Sequence, residues 1–158
     1  MAPHVVIAGG GIGALEGLLA LQHHVGDRVR ITLLTASRHL TYRALSVAEP
    51  FGRDAAPRIH WERIAHDRGV EWISDHVTGV EPEAHRIVTK HGPALGYDGL
   101  LLALGARPQP GLPGAIPFSG PRDVLAVNDA IVCRRHGLDA AALRARAAHR
   151  RACARARR

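Results

Sequence analysis

The chain has 158 residues, the length of a single domain, and a formal net charge of +7. Residues 133–158 hold nine arginines against one acid and no lysine, a net +8, so residues 1–132 carry −1. We therefore do not expect residues 1–132 to bind nucleic acid. Both cysteines also lie in residues 133–158, so residues 1–132 contain no disulfide framework and no Cys-x-x-Cys redox pair.

The first predicted element is a buried strand, His4–Ala8, which runs directly into the glycine turn GGGIGA. Gly9 permits the tight turn, and Gly11 lets the backbone approach a pyrophosphate closely. Ala14 is small enough for the following helix to pack on the strand, and the positive end of that helix faces the phosphates. The turn therefore predicts a dinucleotide site; the alternative is a tight strand-to-helix turn without a ligand.

The next elements complete a βαβ unit. Apolar spacing from Leu15 predicts a helix that ends near Val25–Gly26, where a glycine can cap it. Arg28–Leu34 (RVRITLL) is rich in apolar and β-branched residues, which predicts a second strand parallel to the first.

Beyond this unit, turn residues and apolar runs divide the chain into shorter elements. We expect a loop to about Ala56, a helix from Pro57 to Arg68 that ends at Gly69, a strand Val70–Ser74, a hairpin of His76–Glu81 with Ala84–Lys90, a strand Leu100–Leu104, and an extended Pro/Gly connector over 108–121. From about Asn128 arginine and alanine dominate without an apolar face, so a packed helix is not expected, although a solvated one over Leu138–Arg150 stays open.

These features in this order, closing with YDGLLLALGARP at Tyr97–Pro108, resemble the FAD/NAD(P)-binding pyridine nucleotide-disulfide oxidoreductase-like flavoproteins. The likeness is to the N-terminal FAD-binding segment of the type II NADH dehydrogenase and sulfide:quinone oxidoreductase branches, and it covers about residues 3–127. It implies an α/β fold: a partial Rossmann-like, FAD-type parallel sheet with a β-hairpin insertion, then a poorly packed basic C-terminal tail. The implied domains are an incomplete FAD-binding domain over 1–127 and an Arg/Ala-rich tail over 128–158, disordered or an isolated helix.

The resemblance also implies which residues hold the cofactor. Thr35 stands near the place where a dinucleotide fold usually has an acid for the ribose, so the carboxylate is missing. Arg43 lies in a loop that approaches the flavin and its phosphates, and Ala103-Leu104-Gly105 replaces the usual Ala-Thr-Gly. The expected FAD-binding residues are Gly9, Gly11, Gly13, Ala14, Thr35, Arg43, Ala103 and Gly105.

The family's enzyme is a flavin-dependent NAD(P)H oxidoreductase that passes electrons to a quinone or another acceptor. It needs a second glycine turn for NAD(P)H and a late Gly-Asp motif, and the residues after Pro121 contain neither. We therefore expect an FAD-binding segment that is inactive alone, with weak or no FAD affinity and no catalytic residue. The abrupt arginine-rich composition suggests a frameshift between about Ala126 and Cys133 that truncates the family sequence.

Other site types find little support in the sequence. His23 and His24 are adjacent and diverge on a helix, and His60 and His66 are six apart, so no metal site is expected. The start lacks a signal-peptide pattern and no apolar run approaches a membrane span, so we expect a cytoplasmic protein. Peripheral membrane association stays open for the intact enzyme. Two alternatives remain: a stand-alone nucleotide-binding module without redox activity, and nucleic-acid binding through the arginine-rich tail.

Overall fold

The computed structural model describes residues 2–106, 109, 112, 115–116, 118–120 and 123–135. The chain divides into two compact units: residues 1–42 with 57–107, and residues 43–56 with 108–158. In chain order the elements are β1 (His4–Ala8), α1 (Ile12–Val25), a 3-10 turn (Gly26–Arg28), β2 (Arg30–Thr35), β3 (His39–Thr41), α2 (Arg43–Ser46), a 3-10 turn (Glu49–Phe51), β4 (Arg58–His60), α3 (Trp61–Arg68), β5 (Glu71–Ser74), β6 (Val77–Glu81), β7 (Arg86–Thr89), β8 (Leu95–Gly96), β9 (Gly99–Leu102) and α4 (Val124–Arg135).

The first unit is built on a parallel sheet of four strands in the order β5-β2-β1-β9. In its register Val6 lies opposite Thr32 on one side and Leu100 on the other. Helix α1 connects β1 to β2, so β1-α1-β2 is the βαβ unit that the sequence predicts. An antiparallel ribbon, β3-β4, and an antiparallel sheet of three strands, β6-β7-β8, complete the unit.

Alternation along β1 places apolar side chains on both faces of the sheet. Ile7 belongs to a cluster with residues of α1 and α3, including Leu18 and Trp61. Its neighbours Val6 and Ala8 belong to a second cluster, which also contains Ile87 of β7. Because strand neighbours point to opposite faces, the four-stranded sheet is buried between these two clusters.

The α/β fold with a parallel sheet is confirmed, and so is the hairpin, which gains β8 as a third strand. Gly26 and Gly69 follow α1 and α3 as expected. The expected helix from Pro57 is wrong in its first turn: Arg58–His60 is a strand paired with His39–Thr41, so the helix begins at Trp61. The predicted loop before Ala56 likewise contains β3, α2 and a 3-10 turn.

In the second unit α4 packs near the 3-10 turn of residues 49–51. The Asn128 amide Nδ2 donates to the Pro50 carbonyl at 2.9 Å, and Asp129 and Cys133 of α4 are buried. This helix crosses the division that the sequence predicts between residues 127 and 128. The expected solvated helix over 138–150 and most of the 108–121 connector lie outside the described residues, and in the described part no helix is both long and apolar enough to cross a bilayer.

Candidate dinucleotide-binding site

The glycine turn sits between the C-terminal ends of β2 and β9. The Gly9 amide donates to the Leu34 carbonyl at 2.9 Å, and the Ala103 amide donates to the Ala8 carbonyl at 2.7 Å. Gly9 has φ +148°, and a Cβ built on it would overlap the Ala103 carbonyl. Only glycine fits this position, because a side chain would meet both a strained backbone angle and another strand's backbone.

Gly11, directly before α1, leaves open space in front of the turn. Its backbone is extended, at φ −106° and ψ −173°, and a Cβ built there meets nothing within 4 Å. No side chain caps the start of α1, where the amides of Ala14 and Leu15 both donate to the Gly11 carbonyl, at 3.2 and 3.4 Å. The amides of Ile12 and Gly13 precede these first bonds of the helix. Gly13 lies close to the Ala103 side chain, at 3.7 Å from a built Cβ, and Ala14 is fully buried in the core. The start of α1 therefore lies next to open space at Gly11.

Ala103 and Gly105 follow β9 at this same end of the sheet. The Ala103 backbone is fixed by its bond to Ala8 and lines the turn at Gly9. Gly105 has φ +75° and is exposed, as is Leu104 between them. The closing motif therefore forms one wall of the turn through its backbone.

Thr35 ends β2 beside the turn, but its side chain is engaged within the protein. The residue is fully buried, its hydroxyl donates to the Ser37 carbonyl at 2.8 Å, and it accepts from Trp72 Nε1 at 3.0 Å. A ribose contact at Thr35 would have to displace these bonds. The role in ribose binding stays a prediction.

Arg43 is the first residue of α2 and belongs to the second unit, whereas the other expected site residues belong to the first. The structure thus brings together Gly9, Gly11, Gly13, Ala14, Thr35, Ala103 and Gly105. A pyrophosphate contact from Arg43 stays a prediction.

Sequence reasoning did not foresee that Ser37 and Arg38, which follow β2, lie beside the glycine turn. Trp61 is buried, and its Nε1 donates to the Gly10 carbonyl at 3.4 Å. Its amide donates to the Arg38 carbonyl at 3.0 Å, and the Ser37 Cβ lies 3.5 Å from a Cβ built on Gly10. The sequence signal for this arrangement was that Ser37 and Arg38 stand near the end of β2, where dinucleotide folds usually have an acid.

Two groups with a displaced pKa lie outside the turn. Burial lowers the pKa of His4 from its ordinary value, and the charge of Arg30 lowers it further. For Asp75 burial alone would raise the pKa, but the amides of His76, His91 and Gly92, with the His91 ring, hold it well below the usual range. Within the described residues no group of three or more acids, histidines or cysteines is placed to hold a metal ion.

Comparison with known proteins identifies the family. The family model described as pyridine nucleotide-disulphide oxidoreductase matches residues 3–144. The chain belongs to this family. It is 30% identical over 104 residues to the mitochondrial sulfide:quinone oxidoreductase of Dictyostelium discoideum, an alignment that covers 64% of this chain and 23% of that protein.

Solved structures of similar fold include two from other organisms. The sulfide:quinone oxidoreductase of Aquifex aeolicus matches with a TM-score of 0.71 and 20% identity over 82% of this chain and 32% of its own. NDH2 from Plasmodium falciparum in complex with NADH matches with a TM-score of 0.65 and 18% identity over 82% of this chain and 28% of its own. The chain thus spans about a quarter to a third of the length of these relatives.

Proposed function

We propose that this chain provides the FAD-binding segment of a flavin-dependent NAD(P)H oxidoreductase that passes electrons to a quinone or another acceptor. Membership of the pyridine nucleotide-disulphide oxidoreductase family supports the flavoprotein assignment. The likeness to proteins named sulfide:quinone oxidoreductase supports a quinone as the acceptor.

The observation that carries the proposal is the gap in front of Gly11. A helix start without a side-chain cap lies behind it, and no atom lies within 4 Å of a Cβ built on Gly11. Helix N-termini attract phosphate because the amides donate and the helix dipole is positive there. A glycine that no packing contact requires is explained if a pyrophosphate fills the space.

The residues present fit the pyrophosphate part of FAD. The turn at Gly9 would aim the chain around the pyrophosphate, while the amides after Gly11 would donate to its oxygens. Ala103 and Gly105 would line the neighbouring wall by their backbone. When bound, FAD supplies the two-electron chemistry, and the part of this chain is to bind and orient it.

Several finer points belong to the same proposal. We infer that the 158 residues alone do not turn over NAD(P)H, since their sequence holds one glycine turn of this kind. The proposed location is the cytoplasm, with peripheral membrane association of the intact enzyme. An NAD(P)H oxidation assay with a quinone or ferricyanide tests the first point, and fractionation of cells tests the second.

The experiment that tests FAD binding compares Gly11→Val with Gly96→Val in the full chain. Gly11 is extended and unobstructed, so valine should leave the fold intact while filling the pyrophosphate space. Gly96 is an exposed strand residue whose built Cβ approaches nothing closer than 4.0 Å, which makes it a matched control. We expect FAD, followed by flavin fluorescence, to bind the control with the same weak affinity as the unaltered chain, and Gly11→Val at least about tenfold more weakly.

Three results would contradict the proposal or select an alternative. Equal FAD affinity in the two variants would mean that the glycine turn does not contact the FAD pyrophosphate. Adenine nucleotide binding without flavin binding would favour a stand-alone nucleotide-binding module. Steeply salt-dependent DNA binding that disappears when residues 133–158 are deleted would favour the nucleic-acid alternative.

A further inference from the structure

Trp61 lies buried against the glycine turn. It is the first residue of α3, is fully buried, and packs in the same apolar cluster as Ile7 and Leu18. Its indole Nε1 donates to the Gly10 carbonyl at 3.4 Å and lies 3.6 Å from a Cβ built on Gly10. A buried side chain from another element therefore contacts the middle of the turn.

The protein fixes Trp61 independently of the turn. The Trp61 amide donates to the Arg38 carbonyl at 3.0 Å, and the β3-β4 pair directly before α3 places His60 opposite His39. The apolar cluster holds the indole itself, and an aromatic side chain in a close-packed core has little freedom to move. The indole is therefore a fixed donor, and its bond constrains the turn.

The bond from Trp61 determines which way the peptide between Gly10 and Gly11 faces. A trans peptide is planar, so its carbonyl and its N–H point in opposite directions. The Gly10 carbonyl faces the indole, and the N–H of Gly11 therefore points away from it. A Cβ built on Gly10 has three side chains at 3.5–3.7 Å, whereas one built on Gly11 meets nothing within 4 Å. The carbonyl thus lies on the packed side of the turn, and the N–H faces away from that side.

This orientation needs an external contact because three consecutive glycines form the turn. Glycine reaches backbone angles that other residues avoid, so a peptide between two glycines can turn over at little cost. The opposite orientation would direct the Gly10 carbonyl oxygen, instead of the Gly11 N–H, away from the packed side. A carbonyl oxygen repels a phosphate, whereas an N–H donates to it. The bond to the Gly10 carbonyl therefore decides whether this peptide favours a pyrophosphate.

We propose that Trp61 is a positioning residue for the dinucleotide: its indole N–H holds the Gly10 carbonyl on the packed side and thereby aims the N–H of Gly11 at the pyrophosphate. The inference rests on the proposed FAD site and adds the residue that orients its turn before FAD binds. Trp61 acts through the turn and not by contact with FAD. Organising a site in advance raises affinity, because less conformational freedom is lost on binding.

The test uses Trp72, the second tryptophan of the chain, as a matched control. Its Nε1 donates to Thr35 Oγ1 at 3.0 Å, which is a side chain and not a carbonyl of the glycine turn. Trp61→Phe and Trp72→Phe thus each remove one indole donor. We expect FAD, followed by flavin fluorescence, to bind Trp61→Phe about three- to tenfold more weakly than the unaltered chain, and Trp72→Phe with unchanged affinity. Circular dichroism and urea denaturation check that both variants are folded in the titration buffer.

NMR spectra of the amide and indole N–H groups give a readout that a packing role alone would not change. When the Gly11 N–H donates to a phosphate, the Gly10 carbonyl of the same peptide becomes a stronger acceptor, because linked hydrogen bonds polarise one another. FAD should therefore shift the Gly11 amide and the Trp61 indole N–H downfield in the unaltered chain, with a much smaller change at the Trp72 indole. The indole signal that is missing from Trp72→Phe assigns the pair. This measurement holds even where Trp61→Phe does not fold.

The outcomes separate this inference from the proposed function. Unchanged FAD affinity in Trp61→Phe, or FAD binding that leaves the Trp61 indole signal in place, would overturn the inference and leave the proposed function standing. An equal loss of affinity in Trp61→Phe and Trp72→Phe would also overturn it, because the loss would then come from packing in general. If the unaltered chain binds no FAD at millimolar concentration, the proposed function fails and the inference fails with it.

Discussion

At the scale of single residues, Thr35 shows how a polar side chain can be committed to the fold rather than to a ligand. It is fully buried, and its hydroxyl holds the indole Nε1 of Trp72 on one side and the Ser37 carbonyl on the other. A buried donor that loses its acceptor bears the full cost of desolvation. Thr35 is therefore expected to matter first for stability.

We predict that Thr35→Val lowers the free energy of unfolding by about 1–3 kcal/mol, because the near-isosteric valine leaves the Trp72 Nε1 unpaired. Urea denaturation followed by tryptophan fluorescence measures the change. Thr35→Ser, which keeps the hydroxyl, is the control and should recover most of the loss. FAD affinity should be similar in the folded variants; a selective loss of affinity in Thr35→Val at unchanged stability would instead establish the ribose contact.

The glycine turn was predictable because its information is contiguous in sequence. Gly9, Gly11 and Ala14 follow an apolar strand at the spacing that the chemistry requires, so no distant residue is needed to interpret them. The state of Thr35 was not predictable in the same way, since it depends on Trp72, 37 positions further along. The spacing of residues in the sequence therefore predicts a backbone turn more readily than it predicts the hydrogen-bond partner of a buried hydroxyl.

At the scale of elements, those whose residues are contiguous in sequence were predicted, and those that depend on pairing between distant segments were missed. The strands of the parallel sheet are apolar runs bounded by turn residues, and the β6-β7 hairpin is local in sequence. The β3-β4 ribbon joins two strands of three residues whose paired centres, Leu40 and Ile59, are far apart in the chain. Such short segments carry no periodicity of their own, and their pairing is decided by the fold around Trp61.

One carboxylate, that of Asp75 just before β6, binds the segment that follows β7 in the three-stranded sheet. Asp75, 6% exposed, accepts from the amides of His76, His91 and Gly92 at 2.7–2.9 Å and from the His91 ring at 2.9 Å. Burial by itself raises the pKa of Asp75, but these four donors favour the charged form and together lower it. The folded chain therefore holds this group ionised at a pH where the unfolded chain has protonated it.

Stability should consequently fall with acid in a way that depends on Asp75. Below its ordinary pKa of 3.8 the unfolded chain takes up the proton first, so the unfolded state binds more protons and the free energy of unfolding decreases as the pH falls. We expect Asp75→Asn to flatten this decrease below about pH 4, measured by urea denaturation at a series of pH values. Asp67→Asn, at an exposed aspartate of α3, should keep the slope; equal slopes in wild type and Asp75→Asn would contradict the assignment.

At the scale of the whole molecule, the chain order does not coincide with the compact units. Residues 43–56 leave the first unit between β3 and β4 and are joined by residues from 108 onward. The composition change near residue 128 predicts a division there, yet α4 runs through it from Val124 to Arg135 with Cys133 buried. Arginine-rich composition reports on the exposed side of a helix and does not reveal whether the other side packs.

The bond from Asn128 to Pro50 spans 78 positions and tests whether α4 is part of the second unit in solution. We predict that Asn128→Ala lowers the stability of this unit by about 0.5–1.5 kcal/mol, since the Pro50 carbonyl loses its side-chain donor. Amide hydrogen exchange should then accelerate at Phe51 and Gly52, whose amides close the adjacent 3-10 turn. Leu125→Ala, at a residue of α4 that is 59% exposed, should leave this exchange unchanged. Unchanged exchange in Asn128→Ala as well would mean that α4 does not support residues 49–52, and the division at residue 128 would then describe the molecule better.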